Sequence, residues 1–416
     1  MNHRVDNLLT SEQRLWDSLM DMARYGATPK GGNCRLALSD EDRQGRDAFV
    51  GWCKAAGCAV TVDSLGNIFA RRSGQDPNRA PVAAGSHLDT QPHGGKFDGV
   101  YGVLAGLEIV RTLNDHDIRT EAPIEVVVWT NEEGSRFAPS MMASGVFAGA
   151  YKTDLILGVA DREGITVGAE LKRIGYAGNE RCGDHPIGTM FEAHIEQGPI
   201  LEAEGKTIGV VTGVQGVAWF DITVTGQDTH AGSTPMDRRY DALLGAARMI
   251  DAVNAIALSH QPSGRATVGE MGVSPNSRNT VPGEVYFTVD MRDPLAATMT
   301  AMEKEMEQRC EAIAAGEGLK ARVDKVSYTP PVVFDDDCIT AVRKACEQLD
   351  LPHRDMLSGA GHDACYVSRV APTSMIFVPC EAGLSHNEEE NATPQDLAAG
   401  CNVLLHAMLA RAGVAN

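Results

Sequence analysis

The sequence predicts an α/β protein with a main domain on a mixed, mainly parallel sheet and an inserted α+β domain of the ferredoxin-like type. Two observations predict this fold class. Compact apolar runs at residues 82–86 and 124–130 flank an amphipathic stretch at 99–113, which is the strand, crossover helix, strand order of a parallel sheet. From Val217 onwards the order changes to β-α-β-β-α-β, that of a split βαβ module.

The elements follow in order along the chain. Capping signals predict one helix that begins at Thr10 and runs towards Tyr25, and a second that begins at Ser39 and ends at Gly57. The inserted module has predicted strands at 217–224, 265–271, 284–292 and 321–328, and predicted helices at 241–257 and 295–317. After Pro331 a helix from Cys338, a strand at 373–378 and a helix from Pro394 complete the main domain. We therefore expect residues 1–213 and 330–416 to form one domain and 214–329 the other.

Composition narrows the class of protein. The 416 residues suggest two to three domains at ~150 residues each. With 37 Lys+Arg against 56 Asp+Glu, the net charge of -19 argues against nucleic acid and anionic membranes as partners. No apolar run approaches the ~20 residues of a membrane span, and residues 1–14 do not read as a signal peptide. The ten cysteines contain no C-x-x-C pair, so we expect a cytoplasmic protein with reduced thiols.

The first two candidate metal ligands lie at or after the end of the first buried strand. His87 ends that strand, where open α/β sheets place ligand sites, and Asp89 could accept a hydrogen bond from its imidazole. A purely structural histidine remains an equal alternative for His87 alone. Asp98 lies among glycines before a helix, where it could be an N-cap, although the glycines also allow close approach of a bound group.

A second group of candidates lies at later strand ends. Glu132 and Glu133 leave a buried strand together, and either an exposed acidic loop or a compensating metal pair explains them. His194 lies at a strand end and His386 in a loop after residue 378. Three histidines and three carboxylates at strand ends match the donors of a di-zinc hydrolase better than those of a Cys-rich structural site.

These motifs together resemble a known family. Over most of the chain the sequence is similar to the hydantoinase/carbamoylase branch of the di-zinc aminoacylase-type metallopeptidases, which includes N-carbamoyl-L-amino acid hydrolases, β-ureidopropionases and allantoate amidohydrolases. The resemblance is carried by GSHLDTQPHGGKFDGVYGVLAGLE, TNEEGSRF, FEAHIEQGPILE, TGQDTHAGSTPMDRR, NSRNTVPGEV with VDMRD, SGAGHDA and GLSHNEEE.

The resemblance implies a role for each candidate residue. It implies two divalent ions per subunit, zinc with manganese or cobalt as alternatives, and Glu132 as the general base. The implied ligands of one ion are His87, Asp98 and His194, and those of the other are Asp98, Glu133 and His386, so that Asp98 bridges. Peptidases of the wider superfamily usually have an acidic ligand at the position of His194, which favours the amidohydrolase branch.

The inserted domain is implied to be a lid and a dimerisation domain of a homodimer. His230 resembles the residue that reaches the reacting carbonyl from the partner subunit. The implied substrate-binding residues are Gln197, Gln215, Asn279, Arg292 and Gly361, of which Gln215, Asn279 and Arg292 resemble a clamp for the substrate carboxylate. For Arg292 a structural pair with Asp290 or Asp293 is the alternative.

The expected reaction is hydrolysis of an N-carbamoyl amino acid or N-carbamoyl-β-alanine to the amino acid, carbon dioxide and ammonia. Three other functions remain open at this point: allantoate hydrolysis, a di-zinc aminoacylase or dipeptidase, and a metal-free binding or scaffolding protein on the same fold.

Overall fold

The computed structural model describes Val5 and residues 7–415, which divide by internal contacts into two compact units. The first unit extends to Thr212 and resumes at Phe334, and the second is Gly213–Val333. Where the chain enters and leaves the second unit, Val214 pairs with Val332 in an antiparallel bridge.

Most strands of a nine-stranded mixed sheet lie in the first unit. Numbered along the whole chain, its strands are β1 (Ala59–Val62), β2 (Ile68–Arg72), β3 (Val82–His87), β4 (Ile124–Trp129), β5 (Thr189–Ile195), β6 (Ile208–Val214), β14 (Val332–Val333), β15 (His353–Ser358) and β16 (Thr373–Val378). They lie in the order β1-β2-β4-β3-β5-β16-β6-β14, with β15 also paired to β6. The central strands β4, β3, β5 and β16 are parallel, and β1, β2, β6 and β14 are antiparallel to their neighbours.

Helices cover the central strands. The helices of this unit are α1 (Glu12–Met22), α2 (Asp40–Ala55), α3 (Val100–Asp115), α4 (Met142–Phe147), α5 (Thr153–Leu157), α6 (Val167–Ile174), α7 (Ile200–Glu204), α10 (Asp336–Gln348), α11 (Ala364–Val367) and α12 (Pro394–Ala412), with a 3₁₀ helix at Glu381–Gly383. Every residue of β3, β4, β5 and β16 is buried, as expected for parallel strands covered on both faces. α3 and α12 pack against each other and against these strands.

The second unit has a five-stranded antiparallel sheet with two long helices. Its elements are β7 (Gly216–Thr225), β8 (Thr229–His230), α8 (Ala242–Ser259), β9 (Arg265–Thr267), β10 (Met271–Ser274), β11 (Thr280–Val281), β12 (Glu284–Asp293), α9 (Ala296–Glu317) and β13 (Lys320–Thr329), with a 3₁₀ helix at Met236–Arg238. The strand order β10-β12-β7-β13, with β9 also on β12, is that of the ferredoxin-like module.

Alternating apolar residues form the core of the second unit. Phe220 and Ile222 of β7 and Phe287 of β12 face α8 and α9, which contribute Met249 and Met302. Among the described residues, α8 is the one helix long and apolar enough to span a membrane by length and composition alone. Burial of its Ala246, Met249 and Val253 in this core accounts for that composition.

The structure corrects three local expectations. α1 is capped by Ser11, because the side chain of Thr10 hydrogen-bonds to Asn402 instead. The expected strand at 265–271 is two short strands, β9 and β10, separated by residues 268–270, which include a glycine. The helix after Asp98 has Gly99 as its N-cap, at φ 67° and without a side-chain cap, so Asp98 is not a helix cap.

Candidate metal centre

Parallel strands bring the candidate ligands to one edge of the first unit. His87 ends β3, Glu132 and Glu133 follow β4, and His194 lies near the end of β5. His386 is in the loop after β16, and Asp98 precedes α3. Because β3, β4, β5 and β16 all run in the same direction, their carboxyl ends share this edge.

Asp98 lies at the centre of the cluster and directs one oxygen to each side. Its Oδ1 is 3.2 Å from His194 Nε2 and 3.6 Å from His87 Nε2. Its Oδ2 is 3.3 Å from His386 Nε2, which is in turn 3.4 Å from Glu133 Oε2. The potential ligand atoms of His87, Asp98 and His194 lie within 4.8 Å of one another, and so do those of Asp98, Glu133 and His386. These are the two groups that the family resemblance implied.

The imidazoles of His87 and His194 direct Nε2 into the cluster. His87 Nδ1 lies 2.8 Å from the Asp89 carbonyl, and His194 Nδ1 lies 2.9 Å from the Ile195 carbonyl. A carbonyl can only accept, so Nδ1 carries a proton in both rings and, in the neutral tautomer, Nε2 has the lone pair that a metal would need. In His194 this atom accepts the Gly99 N–H at 3.1 Å. Asp89 therefore accepts the hydrogen bond from the His87 imidazole, as expected, and does so through its main-chain carbonyl.

The carboxylate of Asp89 instead fixes the two glutamates. It accepts the Glu132 N–H at 3.3 Å and the Glu133 N–H at 3.2 Å. Glu132 Oε2 lies 3.5 Å from His87 Nε2, whereas Glu133 Oε2 accepts Gln91 Nε2–H at 2.7 Å. Glu132 is only 8% exposed, so the alternative of an exposed acidic loop is wrong for it.

The buried carboxylates of this cluster repel one another, which favours a bound cation. Burial, together with nearby Asp363 and Glu133, raises the pKa of Glu132 well above its usual value despite the opposing effect of His87. Burial and Asp98 raise the pKa of Glu133 to about 7. The hydrogen bond to Asp98, with help from Glu133, raises the pKa of His386 to about 9. Divalent cations would relieve this repulsion between buried carboxylates, and the donor set of imidazole and carboxylate suits zinc.

One glycine and three residues with a positive φ fix the backbone around the candidate ligands. A Cβ on Gly99 would lie 2.3 Å from the His87 ring, so only glycine fits between His87 and α3. Asn131, Gln197 and His386 have φ of 56°, 56° and 54°, a conformation that costs non-glycine residues of order 1–3 kcal/mol each and persists where the surroundings impose it.

Two of the expected substrate-binding residues lie in the first unit. Gln197 donates from Nε2 to Asp98 Oδ2 at 2.9 Å and to Ser385 Oγ at 3.1 Å, so it touches the cluster directly. Gly361 precedes the buried His362, whose ring centroid is 4.6 Å from that of His194. Burial and His194 lower the pKa of His362 well below its usual value, so this imidazole is neutral.

The other candidates lie at two ends of the second unit. Gln215 precedes β7, and Arg292, near the end of β12, faces Val217 across the ladder. Arg265 Nη1 donates to Gln215 Oε1 at 3.2 Å, and Arg292 Nε and Nη2 donate to the two oxygens of Asp290 at 2.8 and 2.9 Å. The pair with Asp290, the structural alternative for Arg292, is thus present.

His230 and Asn279 lie together past the opposite ends of the same strands. His230 pairs with Thr280 between β8 and β11, and Ala231 N–H donates to the Asn279 carbonyl at 2.8 Å. Nδ1 of His230 accepts the N–H groups of Gly232 and Ser233 at 3.0 and 3.2 Å. In the neutral ring the proton therefore lies on Nε2, which makes Nε2 a donor.

Sequence reasoning missed several buried polar residues around the centre. Glu192 accepts the Ser86 hydroxyl at 2.6 Å, and Asp363 accepts the Ser144 hydroxyl at 2.5 Å. Glu390 accepts the N–H groups of Phe97 and Asp98. The one available signal was an acidic residue inside an apolar strand, as for Glu192 within β5.

Comparisons with known proteins agree on the family. Residues 83–410 match the model of Peptidase family M20/M25/M40. An N-carbamoyl-L-amino-acid amidohydrolase of Rhizobium meliloti is 50% identical over 98% of both chains, and one of Geobacillus stearothermophilus is 36% identical over 95% of this chain and 97% of its own. The crystal structure of an amidase of the hydantoinase/carbamoylase family from Burkholderia multivorans is 60% identical, covers 97% of this chain and 98% of its own, and has a TM-score of 0.94. The chain therefore belongs to the peptidase family M20/M25/M40 and, within it, to the hydantoinase/carbamoylase branch that its motifs indicated.

Proposed function

We propose that this chain hydrolyses the carbamoyl C–N bond of an N-carbamoyl amino acid or N-carbamoyl-β-alanine, giving the amino acid, carbon dioxide and ammonia. The observation that carries the proposal is the cluster of His87, Asp98, Glu133, His194 and His386 beside Glu132. The similarity to N-carbamoyl-L-amino-acid amidohydrolases supports the choice of a ureido substrate.

The proposed cofactor is a pair of divalent ions, zinc with manganese or cobalt as alternatives. His87, Asp98 and His194 would hold one ion, and Asp98, Glu133 and His386 the other. Such a pair would supply Lewis-acid polarisation of the ureido carbonyl and would make water more acidic. Glu132, held by Asp89 through its N–H, would accept a proton from the attacking water and return it to the leaving nitrogen.

Arg292 and Gln215 are the proposed partners of the substrate carboxylate, since a guanidinium can bind a carboxylate through two parallel hydrogen bonds. Asp290 holds the guanidinium through two hydrogen bonds, so a substrate carboxylate would share or displace that partner. Gln197, in contact with Asp98, and the backbone at Gly361 are the proposed substrate contacts of the first unit.

The length of β7 supports a homodimer with a shared site. Gln215 and Arg292 lie at one end of the β7–β12 pair, and His230 and Asn279 lie past the other. Ten residues of β7 separate these ends, ~30 Å at ~3.3 Å per residue. One small substrate cannot touch both ends within one chain, so His230 and Asn279 would come from the partner subunit. Nε2–H of His230 would then donate to the reacting carbonyl oxygen.

The second unit would also be the dimerisation domain and a lid that excludes bulk solvent while the attacking water remains. A cytoplasmic location is also part of the proposal. It is supported by the cysteines, because all ten lie in the described part of the chain and are free thiols.

Ammonia release from N-carbamoyl-β-alanine, several N-carbamoyl-L-amino acids and allantoate, each with zinc, manganese or cobalt added, tests the function. We expect turnover of at least one N-carbamoyl amino acid. N-acetyl amino acids and dipeptides belong in the same panel, scored by amine release, because their turnover would indicate an aminoacylase or dipeptidase. No turnover of any ureido substrate with any of the three metals would refute the proposal.

A further inference from the structure

Glu390 connects two segments that are far apart in the chain. Its carboxylate is 1% exposed. Oε1 accepts the Phe97 N–H at 2.9 Å and the N–H of Asp98, 292 residues away, at 3.1 Å. Oε2 accepts the Ser385 hydroxyl at 3.0 Å, next to His386. One buried carboxylate thus joins the loop of the central carboxylate to the loop of the last histidine.

The hydroxyl of Ser385 lies between two acceptors. It is 3.1 Å from Asp98 Oδ2 and 3.0 Å from Glu390 Oε2, and it accepts Gln197 Nε2–H at 3.1 Å. One hydroxyl hydrogen serves one acceptor at a time. Because Glu390 offers a second acceptor, the hydroxyl need not bond to Asp98 Oδ2, which still accepts Gln197 Nε2–H at 2.9 Å and has its other lone pair for a cation.

The loop before Asp98 is shaped to receive this carboxylate. A Cβ on Gly95 would lie 2.1 Å from the carboxyl carbon of Glu390, so no larger residue fits there. The neighbouring acidic residues have different surroundings. Glu388 faces Lys30 and His93 at 3.7 and 3.8 Å, and Glu389 is exposed. Of the three consecutive glutamates, Glu390 is the buried one and the one whose carboxylate bonds to the Asp98 loop.

From these contacts we infer that Glu390 is a positioning residue of the metal centre. It holds the backbone of Asp98 and the loop of His386 at the spacing that lets both side chains bind the same metal pair. The inference rests on the di-metal part of the proposed function. Glu390 contacts the ligand loops and not the reacting atoms, so its effect acts through Asp98 and His386.

Zinc titration of the metal-free full chain against a chelating indicator tests this role. Glu390→Gln keeps the size of the side chain but places a neutral amide beside Ser385. We expect affinity for at least one ion to fall by about 10- to 100-fold, as for other residues that hold metal ligands. Hydrolysis should recover as the metal concentration is raised. The matched control is Glu389→Gln, which makes the same substitution in the same loop and should leave affinity unchanged.

Unchanged zinc affinity in a folded Glu390→Gln chain would overturn the inference. A lower unfolding temperature of the metal-free Glu390→Gln chain, at unchanged zinc affinity, would also overturn the inference, because it would indicate a general structural role. If Glu390→Gln does not fold, Ser385→Ala removes only the hydroxyl link and should weaken zinc binding in the same direction; normal affinity of that variant would equally overturn it. A wild-type chain that binds two ions but hydrolyses no ureido substrate would refute the proposed function, and the titration would still decide on Glu390.

Discussion

Glu132 and Glu133 are adjacent in the chain but meet different neighbours. Asp89 accepts both of their N–H groups, and Asn131 before them has a left-handed backbone. From this turn Glu132 reaches His87, whereas Glu133 reaches Gln91 and His386. Two chemically identical side chains therefore have different neighbours, which supports the proposed roles of Glu132 as base and Glu133 as ligand.

Replacement of each glutamate by glutamine separates these functions. Glu132→Gln should keep two ions per chain and lower kcat by about 10²- to 10⁴-fold, because an amide of the same size cannot accept the proton. Glu133→Gln should lose about one ion per chain. Elemental analysis by mass spectrometry together with ammonia release measures both effects. If Glu132→Gln kept turnover close to wild type, the division of roles would be wrong.

The family motifs made this cluster predictable, and geometry explains what was missed. They include His87, Asp98, His194 and His386, which the fold brings together. The fixing of His87 by the carbonyl of Asp89 could not be predicted, since every residue has a carbonyl. Nor could the role of Glu390, because the contact that explains it spans 292 residues.

At the scale of elements, α2 connects the N-terminal segment to the end of β4. Arg46 and Asp42 are both fully buried on this helix and pair at 2.9 Å. Arg46 also donates to the Gly66 carbonyl at 2.7 Å and to Thr130 Oγ1 at 3.2 Å, two residues before Glu132. The sequence predicted this helix from its cap and its closing glycine, but it contained no signal for a buried ion pair.

Arg46→Leu should lower the free energy of unfolding by about 3–5 kcal/mol, because it leaves the Asp42 carboxylate buried without its cation. The matched control is Arg43→Leu on the same helix, where the pair with Asp47 is exposed and 3.7 Å long, so about 0–1 kcal/mol is expected. Urea unfolding of the metal-free chains gives both values. Equal losses of unfolding free energy in the two variants would show that the buried pair stabilises the chain no more than the exposed pair does.

Elements with a long apolar pattern were predicted well, and short ones were not. The strands β3, β4, β7, β12 and β16 and the helices α3, α8, α9 and α12 lie close to their expected positions. β8 and β11 have two residues each, too few for any periodicity, yet they hold His230 beside Asn279. Their existence depends on pairing between distant segments, which local sequence cannot show.

On the scale of the whole molecule, the second unit presents polar residues at both ends of a long strand pair. Gln215 and Arg292 lie at one end and His230 and Asn279 past the other, with Glu284 opposite Thr225 at that second end. A monomer could use only one of these sets on a given small substrate. Closed homodimers with two-fold symmetry are the commonest assemblies, and in the proposed homodimer each site would receive one set from each chain.

Mixing two inactive variants tests this assembly directly. His230→Ala leaves Glu132 intact, and Glu132→Gln leaves His230 intact, so a mixed dimer should contain one complete site and one doubly defective site. With equal amounts and free exchange, half of the dimers are mixed, and activity should return to about a quarter of wild type.

The control mixes Glu132→Gln with Glu133→Gln. Both changes lie in the metal centre of the first unit, so no mixed dimer has a complete site and no activity should return. If the first mixture also stayed inactive after subunit exchange had been demonstrated by mass, each subunit would use its own His230, and the ~30 Å separation along β7 would have to be overcome within one chain.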